Sequence, residues 1–340
     1  MERNERRILF RAGMVWAAAP FLLAGCRGAE KMPERLKVGV SIYRDDDTYI
    51  NSIVAEMKQL FQENYAGEAL LNIVSAKNSQ NDQDEQVERF LSLGYDVICV
   101  NAVDRTDVGR MVDLAMEAEV PLIFFNREPV DDDLYRGEDI YYVGSDAQES
   151  ARLQGRMIAE AWEENREELD LNGDGVLSFA LLEGERGHQD AVIRTEWVIR
   201  SLEEAGVPWQ MTESGVADWE RDQAAALSEQ WLSLYGDQIE LFICNNDDMA
   251  LGVLDTLKKE SGPKIGVVGI DGTEEALAAV EKGELLGTVS ADREGYAGAL
   301  IEMSLNLARG EELPGEMDTD GKKVWIPWEI KSREDSVECR

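Results

Sequence analysis

The chain has 340 residues, of which 44% are hydrophobic, and a formal net charge of −35. That is enough apolar material for a sizeable core in two lobes. The acidic residues are spread along the chain, and nucleic acid is excluded as a partner because phosphate binding needs a basic face. A single histidine, His188, excludes a multi-histidine zinc or iron centre.

The first 25 residues read as an export signal. "MERNERR" is basic, "ILFRAGMVWAAAPFLLAG" is largely apolar, and "LAGC" looks like a bacterial lipobox. Cleavage before Cys26 would leave that cysteine to carry lipid and anchor the protein to a membrane. From residue 36, short apolar runs alternate with amphipathic segments. "LKVGVSIY" reads as a strand, followed by a helix at 48–64, the strand "LLNIVSA" and a helix at 80–93. "DVICVNAV", a helix at 105–119, "PLIFFN" and "YYVGSD" complete a first series. A second series begins with a helix at 147–167. It continues through "VLSFALLEG", a helix at 190–205, a polar stretch with Trp209, and a helix at 219–235. "IELFICNN", a helix at 247–260, "KIGVVGID", a helix at 273–282, "LLGTVSAD" and a helix at 294–309 follow, and "KKVWIPWEI" closes the chain. The continuous apolar runs are those of parallel strands buried on both faces. The fold expected is therefore α/β, two doubly wound parallel-sheet lobes. Cys99 and Cys244 fall inside strand-like runs and read as small core residues.

In open parallel sheets, ligands bind beyond the carboxyl ends of the strands. There the first series places Asp47, Tyr49 and Asn126, and the second His188, Asp190, Trp219, Asn246 and Asp271. Carboxylates and amides pair with hydroxyls, and aromatic faces stack on the apolar side of a pyranose. The set suits a neutral polyhydroxyl ligand. Any one of them alone reads better as a helix N-cap, but eight at equivalent positions do not.

"DLNGDGVLS" carries the oxygen side chains of an EF-hand loop at Asp170, Asn172, Asp174 and Ser178, with the turn glycine Gly175. Its twelfth position is Leu181, so the bidentate carboxylate must come from elsewhere if this is a calcium site. The other reading is an ordinary Asp/Asn/Gly turn.

From residue 36 onward the chain resembles the periplasmic D-galactose/D-glucose-binding proteins, the solute receptors of ABC sugar importers. The segments that carry the resemblance are "SIYRDDDTYI", "PLIFFNREP", "YYVGSD", "DLNGDGVLSFALLEGERGHQDAVIRT", "DWERDQA", "IELFICNND", "GIDGTEEAL" and "GTVSAD". The resemblance implies a hinged fold of the periplasmic binding protein type I class. Its segments would be a signal peptide at 1–25, a linker at 26–35, one lobe from 36–144 plus 291–325, and the other from 145–290 plus 326–340. It implies sugar contacts at Asp47, Tyr49, Asn126, His188, Asp190, Arg194, Trp219, Asn246 and Asp271, with Tyr49 and Trp219 as the stacking aromatics and Arg194 holding Asp190. It also implies a calcium cofactor held by Asp170, Asn172, Asp174, the Val176 carbonyl, Ser178 and the remote Glu240. Where the family has an asparagine contact, this chain has Ala291.

The expected function is that of an extracytoplasmic lipoprotein, a monomer, that captures D-galactose or D-glucose and delivers it to an ABC permease. The runners-up are a receptor for another aldose and a sensor serving a chemoreceptor or histidine kinase. An enzyme built on His188 and Asp190 lacks any marked nucleophile. A repressor of the same fold would need an N-terminal helix-turn-helix, where this chain has an export segment.

Overall fold

The computed structural model describes residues 35–259, 264–313 and 317–332. The signal segment, Cys26 and Cys339 lie outside the described residues. The chain runs through β1 (Leu36–Ile42), α1 (Thr48–Asn64), β2 (Ala69–Ser75), α2 (Gln80–Ser92), β3 (Val97–Val100), α3 (Gly109–Glu117), β4 (Leu122–Phe125), α4 (Asp131–Leu134) and β5 (Ile140–Gly144). It continues with α5 (Ala147–Glu164), α6 (Arg166–Leu169), β6 (Leu177–Glu183), α7 (Gln189–Glu204), β7 (Trp209–Val216), α8 (Arg221–Tyr235), β8 (Leu241–Cys244), α9 (Asp247–Leu257), β9 (Gly266–Asp271), α10 (Glu274–Glu281) and β10 (Gly287–Ala291). Last come α11 (Arg293–Arg309), β11 (Lys323–Trp325) and β12 (Trp328–Ser332).

The strands form two six-stranded sheets, ordered β11-β5-β4-β3-β1-β2 and β12-β10-β9-β8-β6-β7. Alternation along each strand splits its apolar side chains between two faces. In the first sheet Cys99, Ile123, Phe125 and Val143 face a core shared with α1 and α11. Ile98, Val100, Leu122 and Phe124 face the core shared with α2 and α3. In the second sheet Leu182, Phe242 and Val267 pack toward α8, α9 and α10. Phe179, Leu181 and Ile243 pack toward α5 and α7. Cys99 and Cys244 are buried free thiols within these cores.

The chain crosses between the sheets three times, from β5 to α5, from β10 to α11 and from β11 to β12. Tyr296, on α11, ties this region together. Its hydroxyl donates to the Val143 carbonyl at 2.8 Å and accepts from the Asn126 amide at 2.8 Å.

Several elements differ from expectation. The polar stretch with Trp209 is an edge strand, β7, with only β6 beside it. An edge strand with an exposed face lacks the apolar run that marks a central one. The helix expected at 105–119 starts only at Gly109, because the Asp104 side chain accepts from the Thr106 amide and holds a turn there. The helix expected over 147–167 breaks at Asn165, with α6 resuming at Arg166. The helix expected at 247–260 ends at Leu257. β12 pairs antiparallel with β10, so the second sheet is not wholly parallel.

Candidate functional site

The carboxyl ends of β1, β4, β8 and β9, with the turns after β6 and β7, meet at a small cavity of about 40 Å³ between the two sheets. All nine residues implied as sugar contacts line it: Asp47, Tyr49, Asn126, His188, Asp190, Arg194, Trp219, Asn246 and Asp271. Tyr43, Ile50 and Arg127 line it too, and sequence reasoning missed them. Their signal was position: Tyr43 directly follows β1, and Arg127 directly follows Asn126.

Several of these residues also cap helices. Asp47 Oδ1 accepts from the Ile50 amide at 2.8 Å, and Asn246 Oδ1 accepts from the Met249 amide at 3.0 Å. Capping fixes the side chain and leaves the other polar atoms for the cavity. Asp47 Oδ2 accepts from the Tyr43 hydroxyl at 2.5 Å. His188 Nδ1 accepts from the Asp190 amide at 3.1 Å, so its ring hydrogen sits on Nε2. Burial, with Arg127, Arg194 and Arg105 nearby, pulls the His188 pKa well below its ordinary value. The ring is a neutral donor.

Arg194 sits otherwise than expected. Its Nη1 donates to the Asn245 carbonyl at 2.7 Å and lies 3.6 Å from Asp271. Its Nη2 is 4.0 Å from Asp190. Asp271 is thus the nearer carboxylate, and the pairing with Asp190 is loose. Trp219 and Trp328 flank the guanidinium, with their ring centres 5.9 and 5.5 Å from it. Burial raises the pKa of Asp190, with Arg194 opposing, and raises that of Asp271 more strongly. Both carboxylates are short of hydrogen-bond donors, and hydroxyls entering the cavity would supply them.

Backbone strain collects here. Asn126, Asp218, Trp219 and Asp271 all have positive φ, at 62°, 50°, 67° and 124°. For a bulky residue such as Trp219 this conformation is costly, and such residues gather at functional sites. Trp219 meets His188 edge-on, with ring centres 5.4 Å apart. Gly184 leaves room for the indole, since a Cβ there would lie 2.1 Å from it. Ala291 is buried opposite Trp328 in the β10–β12 ladder and is not among the cavity residues.

The loop before β6 is a separate site. Glu240, wholly buried, accepts from the Asn172 amide at 3.0 Å and the Ser178 amide at 2.9 Å. Asp170 Oδ2 accepts from the Gly175 amide at 3.0 Å, while its Oδ1 is buried without a partner. Asn172 and Asp174 turn their side chains to loop amides. Among the described residues no three His, Cys, Asp or Glu side chains converge as a metal cluster. Three of the six implied donors are an amide, a hydroxyl and a carbonyl, however. The orphaned Asp170 oxygen and the remote Glu240 carboxylate fit a hard cation with oxygen ligands. The sequence around the loop is not free of basic groups: Arg166 donates to the Gly175 carbonyl at 2.9 Å and lies 3.5 Å from Asp170.

A model of the periplasmic binding protein domain matches residues 38–312. The chain is 36% identical over 298 residues to the D-galactose/methyl-galactoside binding periplasmic protein MglB of Haemophilus influenzae, covering 87% of this chain and 86% of that protein. It is 25% identical over 254 residues to the ribose import binding protein RbsB of Salmonella typhimurium, covering 75% and 79%. Among solved structures, an ABC transporter solute binding protein of Bacillus halodurans with bound myo-inositol is similar at a TM-score of 0.75 and 29% identity. That match covers 90% of this chain and 97% of the other. Among the described residues no helix is long and apolar enough to cross a membrane.

Proposed function

As the chain belongs to the periplasmic binding protein family, whose members are extracytoplasmic solute-binding proteins rather than enzymes, we propose that it captures D-galactose or D-glucose between its lobes and hands it to an ABC importer. The observation that carries this reading is the cavity itself. Carboxylates, amides and a neutral imidazole converge with Tyr49 and Trp219, and no lysine lines it. Such a lining pairs with hydroxyls and stacks on a pyranose, while its two arginines, Arg127 and Arg194, already face the carboxylates of Glu185 and Asp271. The galactose-binding relative supports the choice of sugar.

We further propose that calcium is held by Asp170, Asn172, Asp174, the Val176 carbonyl, Ser178 and Glu240. The ion would neutralise the loop carboxylates and fix the loop against β8. Lipid on Cys26 would anchor the protein outside the cytoplasm. The export segment and its Leu-Ala-Gly-Cys ending support that reading.

Isothermal titration with D-galactose, D-glucose, D-ribose, D-xylose and myo-inositol tests the sugar reading. Binding of galactose or glucose at least tenfold tighter than of the others is expected. Preference for ribose or inositol would replace the sugar, and silence across the panel would remove the sugar class. Ala291→Asn is expected to leave the ranking within the panel unchanged, because position 291 is buried opposite Trp328 and outside the cavity. A changed ranking would bring that position into the bound site. Gly184→Ala should displace Trp219, because the added methyl overlaps the indole. Affinity is expected to fall at least tenfold while the melting temperature changes by only a few degrees. An unchanged titration would mean that Trp219 is not a wall of the bound state.

A further inference from the structure

Two ion pairs join the lobes beside the cavity. Arg44 Nη1 lies 2.6 Å from Glu220 Oε1, and Arg127 Nη2 lies 2.8 Å from Glu185 Oε2. Each arginine follows a strand of the first sheet, and each glutamate belongs to the second lobe. The arginines share a second contact. Their guanidinium carbons lie 5.3 Å and 3.9 Å from the centre of the Tyr43 ring. That tyrosine is buried and donates to Asp47, one of the cavity acceptors. The glutamates are placed as tellingly. Glu185 follows Gly184, and Glu220 follows Trp219, the two residues whose close packing sets the indole wall. Arg127 is itself buried and also donates to the Val103 carbonyl at 2.9 Å.

We propose that Arg44 and Arg127 are positioning residues for the ligand, which couple closure of the lobes to the placing of Asp47 on one side and Trp219 on the other. The ion pairs form only when the lobes meet. Once formed, they pin Tyr43, and through it the Asp47 carboxylate, while holding the backbone on either side of the indole wall. The inference rests on the sugar-binding reading for its affinity arm and stands apart from it in its closure arm.

The sign of the charge effect separates this device from general electrostatics. Both partners of closure belong to a strongly acidic chain, so bringing them together is opposed by repulsion that salt screens. Removing a negative charge at Glu185 or Glu220 would ease that repulsion and tighten binding. Removing a latch does the opposite. The sugar is uncharged and contributes nothing to either effect.

The test uses Glu185→Gln, Glu220→Gln and the double variant. Both carboxylates are about two-fifths exposed, so the isosteric change leaves the fold intact. In low salt, Glu185→Gln is expected to weaken sugar binding about tenfold and Glu220→Gln about threefold, chiefly through faster dissociation seen in stopped-flow tryptophan fluorescence. For Glu220→Gln, whose partner Arg44 is about one-fifth exposed, the ratio of wild-type to variant affinity should shrink toward one as sodium chloride rises to about 1 M, where the screening length is about 3 Å; for Glu185→Gln, paired with the buried Arg127, it should shrink less. A salt-independent loss for Glu220→Gln would mark a merely structural role and overturn the proposal, as would unchanged or tighter binding in either variant. Small-angle scattering of the ligand-free protein in low salt gives the second readout. The double variant is expected to have a larger radius of gyration than wild type, and equal radii overturn the latch. If wild type binds no sugar of the panel yet the radii differ, the sugar reading fails and the latch stands.

Discussion

Replacing Asp190 with alanine is expected to lower sugar affinity about a hundredfold, equivalent to about 2.7 kcal/mol. The loss comes mainly from the missing hydroxyl acceptor in a largely buried cavity. A stranded arginine adds less than the sequence implied, because Arg194 keeps the Asn245 carbonyl at 2.7 Å and Asp271 at 3.6 Å. A pH titration of affinity carries the same assignment. Burial raises the Asp190 pKa, and the ligand needs the ionised acceptor. Affinity should therefore fall as pH drops through that raised pKa, earlier than for a carboxylate in water, and Asp190→Asn should remove its part of this limb while leaving that of Asp271, whose pKa burial raises more strongly. The same shift has the opposite sign for the empty protein. Its stabilising contribution is complete below the ordinary carboxylate pKa and is lost as pH rises through the raised one. Isothermal titration showing less than a fivefold loss for Asp190→Ala would place that side chain outside the bound ligand's reach.

The second large effect concerns the loop before β6. Chelation is expected to lower the melting temperature by about 5–10 °C, since an ion bound only by the native state stabilises by mass action. Glu240→Gln should abolish most of that calcium-dependent shift. It should also lower stability in chelator by roughly 1–3 kcal/mol, because both Glu240 oxygens accept buried amides and a glutamine offers one oxygen and one donor. Arg166 limits the effect of removing the ion, as its guanidinium already lies beside Asp170 and the Gly175 carbonyl. Melts of wild type and Glu240→Gln, each with calcium and with chelator, decide the matter. Equal wild-type melting temperatures would make the loop an ordinary turn. A full calcium shift in the variant would put the sixth ligand elsewhere.

The strand ends made much of the cavity legible. Asp47, His188 and Asn246 stand where a strand run stops and a helix begins, and the topology brings such positions together. Arg127 and Tyr43 were hidden because an arginine and a tyrosine beside a strand read equally well as surface and core. The geometry of Arg194 was not legible either. Spacing on α7 puts it one turn from Asp190, but the choice of Asp271 depends on where β9 ends. β7 escaped notice for a different reason. Its residues Gln210 and Met211 are exposed at the sheet edge, so no apolar run announces the strand. The antiparallel sense of β12 is set by the crossing from β11, which residue pattern does not encode.

The threefold crossing of the chain also fixes the order in which the core can close. The face of the first sheet formed by Cys99, Ile123, Phe125 and Val143 waits for Tyr296, Leu300 and Met303 of α11, which follow the entire second lobe in the chain. A polypeptide emerging from its amino terminus therefore carries five strands with one apolar side covered only by α1 until its last quarter is made. Such distant closure slows folding, and the partly covered side is prone to self-association meanwhile. The side is sealed only when Tyr296, Leu300 and Met303 arrive, so the amino-terminal lobe depends for its own core on residues made after the other lobe is complete.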